Sequence, residues 1–282
     1  MAVKVARQET ETTQWEVARR PALDVLRPYL LSNLEGWTHV RGGGMRLREV
    51  PFPGIPLILN LGPPWIVETG AAPRLRETHD SFLAGLHTTP SLVEGGDAWA
   101  CIELRLTPLG ARRVLGRPMH ELTNRTLDLE DLVPRAGELT ERLREARSWS
   151  ARFDLVESFL VQRLADSAPA SPGIEWSWRR LRTSQGRAPI SDLAAELGWS
   201  HRRLIARFRE HVGLTPKALA RVIRFDRAVE LLGRPGGESL AAVAYDSGYF
   251  DQAHMNRDFR ELAGMTPATL VSRRSDSGAV AA

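Results

Sequence analysis

The spacing of hydrophobic and polar positions changes along this chain, and the changes divide it into parts. In the first hundred or so residues the period is that of strands. Residues 99–106 alternate, with Ala100, Ile102, Leu104 and Leu106 on one face and Trp99, Cys101, Glu103 and Arg105 on the other. Residues 55–59 have strand length and are apolar on both faces. Shorter strands are predicted at 45–50, 65–68, 82–87 and 92–94, between turn signals such as Gly42-Gly43-Gly44 and Gly62-Pro63-Pro64. Many short strands with turns between them predict a sandwich or barrel.

After Thr107-Pro108 the period becomes helical. A short helix is predicted over 108–115, with Thr107 as its cap and Pro108 at its first position. Two longer helices are predicted at 135–147 and 151–165, the second placing Val156, Leu160 and Leu164 on one face. The small, Pro-rich run Ser167-Ala168-Pro169-Ala170-Ser171-Pro172-Gly173 reads as a linker. Beyond it, helices are predicted at 174–184, 189–197, 200–211, 216–232, 239–246 and 251–262, with a short one from Pro267. The expected fold class is therefore α+β in two domains, each long enough to bury a core. A β-rich sandwich or barrel-like N-terminal domain with trailing helices spans 1–166, and 167–173 is the linker. An all-α domain spans 174–274, and 275–282 is a disordered tail.

The all-α part contains a repeat. Residues 193–219 match 243–270, with one extra residue at the second turn. Ala194 and Gly198 recur as Ala244 and Gly248, and Ser200 as Asp251. Leu204 and Phe208 recur as Met255 and Phe259, and Gly213-Leu-Thr-Pro216 as Gly264-Met-Thr-Pro267. A small residue lets two helices cross closely, and a glycine after the first helix can take the left-handed turn. Ser200 and Asp251 suit the N-cap of the second helix, whose apolar i and i+4 residues face the core. Each copy reads as a helix-turn-helix unit, with 216–232 as the connecting helix.

Charge adds direction to this reading. Residues 1–173 hold 21 Lys and Arg against 22 Asp and Glu, whereas 174–282 hold 17 against 12. Within 200–224 there are seven basic residues and one acid, Glu210. A concentrated positive stretch is the footprint of a phosphate-backbone binder.

On these motifs residues 174–274 resemble the DNA-binding domain of the AraC/XylS family of bacterial transcription regulators. The most specific stretches are 248–254 (GYFDQAH), 257–260 (RDFR) and 264–267 (GMTP), with Arg224 and Ala228 on the connecting helix. The resemblance implies two recognition helices in successive major-groove segments of double-stranded DNA, and no enzymatic activity. RNA polymerase, a small-molecule effector and a homodimer are the further partners it brings into view. The N-terminal part resembles, less specifically, the β-rich effector or dimerisation domain that precedes such domains. The other reading of that part is a protein-interaction module in a ligand-independent regulator.

With Leu204 and Phe208 facing inward, the first recognition helix presents Arg202, Ile205, Ala206 and Arg209, flanked by His201, Arg203 and Arg207. The resemblance places 202, 205 and 206 at base edges. Arg202 can bond guanine, while Ile205 and Ala206 can only touch a thymine methyl. The flanking arginines suit phosphates. The second helix presents Gln252, Ala253, His254, Asn256 and Arg257, and Arg257 matches the family's basic contact position. Asp251 and Asp258 are expected to cap the helix or pair with arginine. Arg224 completes the DNA-binding candidates.

Other chemistries have little in their favour. The seven histidines form no metal-ligand spacing, so no metal is expected. Cys101 is the single cysteine and reads as a packed strand residue rather than a redox sensor. No P-loop, GxGxxG or nucleophile elbow occurs, and no cofactor is expected. No run approaches a membrane span and the N-terminus does not read as a signal peptide, so a cytoplasmic protein is expected. Trp15, Trp37, Trp65 and Trp99 are numerous for one domain and read as sandwich core, or as the wall of an effector pocket.

Overall fold

The computed structural model describes residues 2–9, 14–40, 44–70, 74–234, 239–273 and 280–281. Twelve strands are present among them: β1 (Lys4–Glu9), β2 (Gln14–Arg20), β3 (Leu34–Val40), β4 (Met45–Glu49), β5 (Ile55–Asn60), β6 (Trp65–Thr69), β7 (Arg76–His79), β8 (Phe82–Ala84), β9 (Ser91–Gly95), β10 (Ala98–Leu106), β11 (Thr126–Asp128) and β12 (Val280–Ala281). The helices are α1 (Pro108–Leu115), α2 (Leu129–Leu132), α3 (Ala136–Glu145), α4 (Trp149–Ala165), α5 (Pro172–Thr183), α6 (Ile190–Glu196), α7 (His201–Val212), α8 (Pro216–Leu232), α9 (Leu240–Asp246), α10 (Gln252–Leu262) and α11 (Pro267–Arg273). A 3-10 turn, Met119–Leu122, follows α1.

The strands form two antiparallel sheets, ordered β1-β2-β3-β10-β5-β8-β11 and β12-β4-β9-β6-β7. The α+β class is as expected. β10 is the spine of the larger sheet, with Ile102 opposite Gly36 of β3 on one side and Leu59 of β5 on the other. Its alternation sorts side chains between two layers. Ile102, Leu104 and Leu106 join Ile55, Leu57 and Leu59 under the helices, in a core that includes Val114, Phe153 and Leu160. Cys101 and Trp99 instead pack with Trp65, Val67, Phe82 and Trp37 between the sheets. β5 is apolar on both faces because it is covered on both.

Helix α4 lies tightly on the larger sheet. A Cβ at Gly36 would fall 2.2 Å from Cζ3 of Trp149, so glycine there permits the approach. Arg20 is buried beneath it and binds Asp154 and Glu157, each at 2.6 Å. The second Glu157 oxygen accepts from the Leu23 amide at 3.0 Å. A buried arginine needs such a set of partners.

Six strands escape the periodic pattern, β12 among them. β1 is exposed along its length, β7 is mostly polar, and β11 has three residues. β2 and β3 carry charged or glycine positions that blur alternation. Three boundaries need correction. Pro172 and Gly173, expected in the linker, form the first turn of α5, because proline is well suited to the first helical position. Val280 and Ala281, expected in a disordered tail, pair with Arg48 and Leu47, and Val280 is buried. The rest of that tail and Gly42-Gly43 lie outside the described residues. The strand predicted at 82–87 ends at Ala84, since Gly85 meets the Leu122 backbone. The main buried cluster runs without a break from the larger sheet through the helices into α5–α11, rather than forming two separate cores.

Candidate nucleic-acid interface

Each repeat is built as its residues require. Gly198 and Gly248 adopt φ of 62° and 80°, the left-handed region that turns the chain after α6 and α9. The next amides fold back, Trp199 to the Ala194 carbonyl and Tyr249 to that of Ala244, both at 2.9 Å. Ser200 then caps α7 by accepting from the Arg203 amide at 3.2 Å, and Asp251 caps α10 by accepting from that of His254 at 2.7 Å. Leu204, Phe208, Met255 and Phe259 are all fully buried. In each unit this leaves the far side of the second helix exposed.

On α7, His201, Arg202, Arg203, Ile205, Ala206, Arg207 and Arg209 are all exposed. Their charges differ in freedom. Arg203 lies over the Trp199 ring at 4.8 Å, and Arg207 pairs with Glu210 at 2.7 Å. Arg202 and Arg209 have no ion-pair partner among the described residues. At the far end of the helix His211 is buried, and desolvation lowers its pKa from the ordinary value to about 4.

On α10, Gln252, Ala253 and Arg257 are exposed, while His254 and Asn256 are half-buried. The His254 ring stands edge-on to Tyr249, with centroids 5.2 Å apart and an interplanar angle of 84°. That contact fixes the imidazole at the N-terminal end of the helix. Asn256 Oδ1 is buried, so this residue offers less to a groove than its helical position suggests. Asp258 is paired with Arg221. The basic stretch is thus partly spent inside the domain.

Arg224 is placed differently from the other candidates. Half-buried on α8, it donates from Nη1 to the Gly186 carbonyl at 3.0 Å and lies 5.8 Å from the Tyr249 ring. It joins the turn after α5 to the second unit. Two exposed aromatics were not singled out from the sequence: Tyr245 at the end of α9 and Phe250 in the turn, the latter 92% exposed. Phe250 is the extra residue of the second repeat, and that one-residue mismatch was the signal available.

Two recognition-type helices on one α-helical scaffold define a DNA-binding helix-turn-helix domain. Residues 193–273 match the family model described as a helix-turn-helix domain, a span that takes in both units. The C-terminal part of the chain is thus a helix-turn-helix domain over the matched residues. Among solved structures, ToxT from Vibrio cholerae overlays with a TM-score of 0.48 at 11% identity, covering 93% of this chain and 98% of its own. ToxT with a bound unsaturated fatty acid gives 0.46 at 12% identity, over 94% and 97%. The AraC-like transcriptional activator CuxR gives 0.32 at 16%, over 78% and 84%. Comparison with curated proteins gives no match.

Proposed function

We propose that this chain is a sequence-specific transcription regulator that reads two successive major-groove segments of duplex DNA with α7 and α10. The observation that carries the reading is the pair of capped helices, each with a buried i, i+4 apolar pair and an exposed opposite face. In this reading residues 1–166 form the regulatory part and 174–274 the DNA-binding part. The first helix supplies charge through Arg202 and Arg209, and the second supplies polar base contacts through Gln252 and Arg257.

Selection of preferred sites from random duplex DNA by the full chain tests this. The expected result is a two-part site about two helical turns long, bound much more tightly than unrelated DNA. Equal binding of specific and unrelated DNA, unaffected by Arg257→Ala, would falsify the reading.

A specific observation favours effector control over a ligand-independent regulator. Between the sheets, Trp37 Nε1, Trp99 Nε1 and His39 Nδ1 are buried without hydrogen-bond partners among the described residues. His39 stacks on Trp99 at 5.5 Å, and Trp65 meets Trp99 edge-on at 5.3 Å. Unpaired buried polar nitrogens are costly, and a flat ligand carrying hydrogen-bonding atoms would satisfy them, with acceptors for the two indole donors. Thermal stability and tryptophan emission of the full chain against a metabolite library test this: a hit should be lost in Trp99→Phe. No hit, with operator binding intact, favours the ligand-independent regulator.

A further inference from the structure

The two units leave their second helices through the same Gly-x-Thr-Pro sequence, and both exits lie against the N-terminal part of the chain. At the first exit, Thr123 Oγ1 donates to the Gly213 carbonyl at 3.0 Å. A Cβ on Gly213 would approach the Met119 carbonyl to 3.2 Å. One turn back, Arg112 on α1 faces Glu210 at 3.5 Å. At the second exit, a Cβ on Gly264 would lie 3.4 Å from Arg48 Nη1 and 3.7 Å from Pro90 Cγ, ordinary contact distances. The chain then returns to the same edge, where Val280 pairs with Arg48.

We propose that the N-terminal part sets the spacing between the two recognition helices, with Thr123 and Arg112 as positioning residues for α7. This rests on α7 and α10 being the helices that enter DNA. Within its own domain α7 is anchored along one stripe by Leu204 and Phe208, and only Gly213-Leu214-Thr215 separate it from α8. Gly213, at φ 104°, is the natural pivot. With 12 residues, α7 is about 18 Å long, so a tilt of about 10° at the pivot moves its N-terminal end about 3 Å. That is close to the rise of one base pair, about 3.4 Å. Small rotations at Gly213 therefore change register on DNA, and the Thr123 bond opposes them.

The grip is continuous with the larger sheet. A Cβ on Gly85, next to β8, would fall 1.9 Å from the Leu122 carbonyl, and the Asn124 amide donates to the Leu86 carbonyl at 3.0 Å. A shift of β8 therefore has a direct mechanical route to α7.

The experiment uses the full chain as wild type, Thr123→Val, Thr123→Ser and Arg112→Gln/Thr123→Val. The site selected by the wild type from random duplex DNA is remade with one base pair inserted or removed between its halves. Affinities for all three duplexes are read by fluorescence anisotropy, with thermal melting in parallel. The wild type and Thr123→Ser should disfavour the altered spacings by about tenfold, a common size of coupling between sites. The double variant should discriminate by less than about threefold while keeping its base preferences within each half. An unchanged spacing penalty in the double variant overturns the proposal. So does an equal loss on all three duplexes, which marks general destabilisation, or a Thr123→Ser variant that behaves like valine. A wild type that selects no two-part site removes the DNA reading itself, and the spacing proposal with it.

Discussion

Arg221 of the connecting helix donates from Nε to Oδ1 of Asp258 on the second recognition helix at 2.7 Å. The pair shows how a basic stretch serves packing as well as recognition. Asp258 is buried, and the same guanidinium also binds Glu261. Both carboxylates hold the Arg221 pKa above its ordinary value against desolvation. One of the seven cations counted in 200–224 thus faces another helix instead of DNA.

Arg221→Ala should destabilise the chain by about 2 kcal/mol, because it leaves a buried carboxylate without its cation. The figure lies below that for a wholly buried pair since the arginine is 30% exposed. Urea unfolding measures the loss, and Arg221→Ala/Asp258→Leu should recover most of it. The salt dependence of DNA binding should stay at the wild-type slope in the double variant. A reduced slope would mean that Arg221 also meets phosphate.

The two turn glycines differ in a way that mutation can read. At Gly198 an added Cβ meets nothing within 4 Å, so Gly198→Ala pays only the left-handed backbone, about 1 kcal/mol. At Gly248 it would come within 2.9 Å of Arg187, whose Nη2 is tied to the Tyr245 carbonyl at 3.2 Å. Gly248→Ala should therefore cost about 2 kcal/mol, the added part reflecting the lost arginine bonds. Equal losses in thermal or urea unfolding would show that Arg187 moves aside freely.

Much of this was legible in the residues because local rules govern it. The repeat, its caps and its inward pairs follow from helical spacing and turn chemistry, and the α7 and α10 faces followed from them. β10 was readable because it alternates between two layers, and β5 because both layers cover it. Long-range choices were not readable. No local pattern says that Arg224 turns to Gly186, or that Thr123 reaches Gly213. β1 and β7 have few apolar positions, so their pairing depends on neighbours that the sequence does not name. Val280-Ala281 is a strand only because β4 offers it an edge.

Acid should loosen the contact at the end of α7. The His211 ring is buried among Arg112, Arg207 and Glu210, and its pKa falls from 6.5 to about 4 by desolvation, with the arginines adding to the shift. A lowered pKa means that the unfolded chain binds the proton more readily than the folded one. The stabilisation is thus complete above about pH 6.5 and is lost as pH falls towards 4. The full loss is about 3 kcal/mol by linkage. His87, buried and also lowered to about 4, adds a similar dependence. Urea unfolding between pH 7 and 4.5 should show the decline, and His211→Gln should flatten about half of it. An unaltered slope in that variant would exclude His211 as a source.

Cys101 should be inert in the folded protein. Burial, with Glu103 nearby, pushes its thiol well above the usual range, and the thiolate is the reactive form. A thiol-reactive disulfide reagent at pH 8 should modify it no faster than the chain unfolds, and promptly in denaturant. Rapid labelling of the native protein would reopen a sensing role.

The two recognition helices should fail in different ways. On α7 the cations with neither an ion-pair partner nor an aromatic ring beneath them, among the described residues, are Arg202 and Arg209, since Arg203 lies over Trp199 and Arg207 is paired with Glu210. A phosphate contact contributes through counterion release, which appears as a slope of log affinity against log salt. Arg209→Ala should reduce that slope by about 0.9 and weaken specific and unrelated DNA alike. Arg257 stands exposed on α10, one turn beyond Ala253 on the outward face, where a guanidinium can meet guanine O6 and N7. Arg257→Ala should cost about 1–3 kcal/mol on the selected site, leave unrelated DNA almost unaffected, and relax the preference at one base pair. Affinities at several salt concentrations, on the selected site and its single-base variants, separate the two. A slope change in Arg257→Ala with no relaxed base would assign that arginine to the backbone and leave Gln252 as the leading base contact of the second unit.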